Sequence, residues 1–256
     1  MFKAIRIGIL LFILFFVAVN TWLVQARSTD WNNSLWVKIY PINADGSDAS
    51  RNYIDSLTTD DFAEIESFIE REASRYGKSI SRPLRIELGR PIAEQPPELQ
   101  PGSGTFGIML WSLKMRWWAS GTAGAQDGIE PDVRIFVRFH EPENMLVLEN
   151  SVGLQKGMVG IVNAYASRRR RGSNNVIIAH EFLHTLGATD KYSLATGLPR
   201  HPDGFAEPTR DPLYPQSQAE LMAGRIPLKE TEAHIPPSLN RVMIGPLTAS
   251  EIGWTR

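Results

Sequence analysis

Seventeen residues, Val176–Tyr192 (VIIAHEFLHTLGATDKY), limit this chain more than any other stretch. His180 and His184 are four apart, so on a helix they leave from the same face. Val176, Ile177, Phe182, Leu183 and Leu186 give that helix an apolar side to bury. A cap at Asn174 or Asn175 would start it, and it would run to about Leu186. Gly187 follows His184 by three and can take the positive φ that ends a helix sharply. Asp190 follows three residues later, where the turned chain can come back toward the two histidines.

The residue types define the chemistry open to this segment. The chain has 256 residues and no cysteine, which removes disulfide scaffolds, thiolate metal sites and cysteine nucleophiles. Any metal must be held by His, Asp or Glu. Two imidazoles on one helix face, joined by the Asp190 carboxylate, form a three-ligand set for one catalytic zinc ion, Zn2+, with a fourth position left open. Glu181 comes one residue after the first histidine and points beside the metal, where it can act as general base toward a metal-activated water. A formal net charge of −1 argues against nucleic acid as a partner. Hydrophobic residues at 43% are enough for a sizeable core, so wholesale disorder is excluded.

The pattern HExxHxxGxxD resembles the metzincin zinc metallopeptidases, whose usual third ligand is a histidine where this chain has Asp190. The aspartate form is similar to the snapalysin group. The resemblance extends to Tyr192, to a turn at Ala219–Gly224 (AELMAG) like the clan's Met-turn, and to Leu247–Trp254 like the helix after it. It implies a zinc-dependent endopeptidase with His180, His184 and Asp190 as metal ligands and Glu181 as base. It also implies Tyr192 as an oxyanion donor, Met222 beneath the metal and Gly187 as the helix-ending residue. It further implies that Met158–Tyr165 is the edge strand on which a peptide or protein substrate is aligned. Two alternatives stand beside this reading. One is a zinc-binding scaffold or interaction module with little or no activity. The other is a gluzincin-type peptidase using Glu220 as third ligand.

Lys3 and Arg6 precede an apolar run, Ile7–Val24, broken only at Asn20 and Thr21. At 1.5 Å per residue its 18 residues span about 27 Å as a helix, enough to cross a thin bilayer. Residues 1–27 are therefore expected to be a signal anchor, or a signal peptide cleaved after Ala26. Either way residues 28–256 form one exported domain, periplasmic or extracellular, membrane-anchored or secreted.

Within that domain the predicted order is strand (Leu35–Ile42), helix, strand (Leu84–Leu88), helix, strand (Val133–Phe139), strand (Met158–Tyr165), then the zinc helix. The first helix starts at Thr58 or Thr59 and ends near Gly77. The second covers Phe106–Ala119. A mostly irregular tail follows, closed by a short helix around Leu247–Trp254. The expected fold is α/β (α+β): a mixed twisted sheet with an active-site helix, preceded by one N-terminal hydrophobic helix. His140 is expected to be structural, and His201 and His234 surface histidines. Arg168–Arg171 is expected to be a solvated loop, and Trp111, Trp117 and Trp118 mainly core. The glycines of Gly102–Gly107 lack the strand and lysine of a phosphate loop.

Overall fold

A computed structural model of the protein describes residues 6–8, 11, 12, 15, 30–100, 102–124, 130–143, 151–155 and 157–255. Five strands form the main sheet: β1 (Leu35–Asn43), β2 (Leu84–Leu88), β3 (Val133–His140), β4 (Val152–Leu154) and β5 (Val159–Tyr165). Their order is β2-β1-β3-β5-β4. The first four positions run parallel, and β4 closes the edge antiparallel to β5.

Strand side chains alternate between faces, and both faces are covered. Val37, Ile39, Ile135, Val137, Phe139, Val162 and Ala164 face the larger core. Against it pack α2 (Ala63–Arg75), through Ile65, Phe68 and Ile69, and α4 (Arg171–Thr185), through Ile178, Phe182 and Leu183. Tyr40, Ile42, Phe136, Val159 and Ile161 face the other way, against Met115 and Ala119 of α3 (Thr105–Gly124). A further helix, α1 (Asp48–Asp55), follows β1 and is capped by Ser47, which accepts from Ser50 N. The tail holds two short strand pairs and α5 (Pro246–Glu251).

The mixed α/β character and the order of the main elements match expectation. Several details differ. Met158–Tyr165 is not the edge strand: β5 is hydrogen-bonded on both sides, and β4 occupies the edge. Three residues of β4 were too few to register as a strand in the sequence. Helix α4 starts at Arg171 rather than at an asparagine cap. Asn174 instead clamps Tyr165 through its N–H and C=O, and Asn175 donates to Asp61 O.

The arginine run is exposed to solvent, as expected, but it is not a loop. It forms a 3-10 turn leading into α4, and Arg168 and Arg171 both reach Asp61 Oδ1, at 3.1 and 3.2 Å. Asp61 also accepts from Thr58 N, the expected start of the first long helix, which opens as a 3-10 turn before α2. Trp111 and Trp118 pack on the smaller core, but Trp117 is exposed. His140 is buried and bonds Asn163 Oδ1, and His201 is exposed and bonds Pro208 O. His234 is exposed on a tail strand.

Most of the apolar run Ile7–Val24 lies outside the described residues. Among those described, no helix is long and apolar enough to cross a membrane.

Candidate metal centre

Helix α4 places one face on the sheet and turns the adjacent face toward the tail. His180 and His184 lie on that second face, their Nε2 atoms 3.0 Å apart. Gly187 ends the helix at φ 104°, with Ala188 N donating to Leu183 O. A side chain there would be strained, and its Cβ would also run into Gln155. The turn brings Asp190 Oδ1 to 3.2 Å from both histidine Nε2 atoms. Three potential ligand atoms thus form a triangle with edges of 3.0, 3.2 and 3.2 Å.

The far side of each ring fixes its proton. His180 Nδ1 faces Leu221 O at 2.9 Å, and His184 Nδ1 faces Ala188 O at 2.8 Å. A carbonyl oxygen only accepts, so each Nδ1 carries the hydrogen. In the neutral rings both Nε2 lone pairs then point at each other and at a carboxylate. Such an arrangement is unfavourable without a cation between the atoms. Where none is supplied, a proton is drawn there. Burial opposes charge on His180, yet Asp190 and Glu181 beside it push the imidazole up to about 9. Burial likewise opposes charge on Asp190, but the two imidazoles hold it well below the usual carboxylate range.

The residues fit zinc. Two ligands at about 2.0–2.1 Å in tetrahedral geometry stand about 3.3–3.4 Å apart, close to the triangle's edges. The donor set of two imidazoles and a carboxylate suits the metal, and the backbone carbonyls behind the rings orient the ligands.

Glu181 also lies near, with a carboxylate oxygen within 4.8 Å of the histidine nitrogens. Asp190 makes the tighter set, so it is the better third ligand and Glu181 the neighbour. Glu181 is buried, and its Oε2 has no hydrogen-bond partner among the described residues. Burial pushes its carboxyl up. Gly160 and Gly153 line the helix opposite it. A Cβ on Gly153 would collide with His184 Cβ and approach Glu181 O to 2.7 Å and Oε2 to 3.3 Å. The edge strand therefore passes directly against the site.

Tyr192 is half-buried, with its ring 6.4 Å from that of His180. Burial, the charges of Asp190 and Glu181, and hydrogen bonding to Asp190 push its phenol up, so it keeps its proton. Met222 is fully buried in the 3-10 turn Leu221–Ala223. That turn holds both halves of the site: Leu221 O bonds His180, and Met222 O accepts from Lys191 N.

Glu220 is not brought to the histidines as a ligand. Its carboxylate accepts from Ala223 N at 3.0 Å, Gly245 N at 3.0 Å and Thr248 Oγ1 at 2.7 Å. It caps the turn and ties it to α5.

Sequence reasoning missed the supports of the Asp190 loop. Buried Lys191 donates to Glu251 Oε2 at 2.7 Å and to Thr189, and Arg200 donates to Asp190 O at 2.9 Å. Nothing local to Lys191 signals a buried partner 60 residues away. Gly153 was readable, since an isolated glycine between Val152 and Leu154 signals a close backbone approach.

No protein-family model matches the chain, and no curated protein is similar to it in sequence.

Proposed function

We propose that residues 28–256 form a zinc-dependent endopeptidase domain of metzincin-like fold, held outside the cytoplasm by the apolar run before it. The observation that carries this reading is the meeting of three inward-facing ligand atoms with a buried, unpartnered glutamate. His180, His184 and Asp190 would hold the ion. When bound, zinc supplies a Lewis acid that polarises a carbonyl and lowers the pKa of water toward about 7.

The chain's own residues do the rest. Glu181 accepts the proton of the attacking water as it adds to the peptide carbonyl, then delivers that proton to the leaving amine. Its burial favours this shuttle, because a carboxylate stripped of hydrogen-bond donors holds a proton more readily than one in water. Tyr192, protonated and hydrogen-bonded to Asp190, would donate toward the developing oxyanion. Among the described residues β4 is the outermost strand, and its outer side would offer backbone groups to an extended peptide, while Gly153 lets that strand lie close to Glu181. A scaffold without activity has no use for an unpartnered buried carboxylate, which is costly to maintain.

The test is peptide cleavage by the full chain with zinc, read by mass spectrometry against Glu181→Gln. Cuts made by the wild type and missing in the variant are expected. Equal cutting by both would refute the role of Glu181. No cutting by a folded, zinc-loaded wild type would refute the peptidase.

A further inference from the structure

Helix α3 carries a second apolar face that the domain leaves uncovered. Phe106, Leu110, Leu113 and Trp117 recur at spacings of four, three and four, so they form one stripe. All four are exposed, Phe106 at 68% and Trp117 at 79%, with Met109 exposed beside them. Met115 and Ala119, on the opposite side of the helix, are buried on the sheet together with parts of Trp111 and Trp118. Soluble domains seldom leave such a contiguous patch in water.

We infer that this stripe docks on the surface of an anionic bilayer, the one that the apolar run enters. The inference rests on the anchored reading of Ile7–Val24. Three observations choose lipid as the occupant. First, α3 has no acidic residue in its 20 positions, and Lys114 and Arg116 flank the stripe. An apolar face of Trp, Phe and Leu bordered by cations is the composition of an interfacial helix. Second, only residues 25–30 separate the apolar run from Trp31, which is buried against Trp254. Six extended residues reach at most about 20 Å, so an anchored domain must lie on the membrane. Third, the stripe and the tether share one end of the sheet. A Cβ on Gly157, just before β5, would meet Arg116 Cγ at 2.7 Å, so Arg116 and Trp117 stand where the parallel strands begin. Trp31 precedes β1 at that same end. Helix α3 is also too polar to cross the bilayer, which leaves it lying along the surface.

The absence of cysteine makes the test direct. Single cysteines at Leu113→Cys and, on the far side of the sheet, Glu70→Cys are labelled with an environment-sensitive fluorophore. The full chain is then reconstituted into phosphatidylglycerol–phosphatidylethanolamine vesicles. Docking predicts brighter, blue-shifted emission at position 113 that a lipid-borne nitroxide quenches, with neither change at position 70. An aqueous label at 113 on protein that floats with the vesicles overturns the docking and leaves the anchor standing. Protein that does not float overturns both. A shifted signal that the nitroxide fails to quench means that protein covers the stripe, either a second copy or the apolar run itself, and also overturns the inference.

Discussion

Glu181, in the middle of α4, and Glu220, ahead of the turn at Leu221–Ala223, are both buried, and burial pushes both carboxyls up. Three donors converge on Glu220, whereas Glu181 Oε2 receives none. A carboxylate surrounded by donors is fixed in place, and those donors work against the upward push of burial. One without donors exchanges a proton easily and contributes little to holding the fold. On the proposed reading the same residue type serves structure at one position and chemistry at the other, and the difference in hydrogen bonding is what supports that division.

The sharpest way to break this contrast is to remove the ligands beside Glu181. His180→Ala, His184→Ala or Asp190→Ala should each abolish zinc retention and reduce peptidase activity to background, read by metal analysis and peptide cleavage. Glu181→Gln should lower kcat about 10²–10⁴-fold, the span of a general base. Its thermal midpoint should stay level or rise, since an unpartnered buried charge is removed. Glu220→Ala should do the reverse. It strands two backbone N–H groups and the Thr248 hydroxyl, at a cost of about 3 kcal/mol in denaturant unfolding. Activity should fall only as far as the turn loosens.

A smaller effect sharpens the comparison by adding a third carboxylate. Asp61 is buried but held below its ordinary value: burial opposes its charge, and the Thr58 amide, Arg171 and Arg168 outweigh that. A depressed folded pKa gives stability that is complete above the ordinary value of 3.8 and is lost as pH falls through the folded value. The stability gap between wild type and Asp61→Asn should therefore be about 1 kcal/mol at pH 7 and should close below pH 4. A gap that widened on acidification would contradict the assignment.

Much of this was legible in the sequence because it is local. The i,i+4 histidines, the glycine stop and the returning aspartate all follow from helix geometry within one short segment. The period-two strands were legible for the same reason. What was not legible depends on contacts far along the chain. The edge position of β4 requires the whole sheet order. Asn174 and Asn175 look like helix caps, but they serve Tyr165 and Asp61 once the chain folds. Glu220 is a plausible metal ligand by spacing alone, until Gly245 and Thr248 arrive to claim it.

The most direct measurement is the zinc content of the purified full chain beside Asp190→Ala and Glu220→Gln, each shown to be folded by circular dichroism. One zinc per chain in the wild type and in Glu220→Gln, with none in Asp190→Ala, is the predicted result. Zinc kept by Asp190→Ala and lost by Glu220→Gln would contradict the account and make Glu220 the ligand.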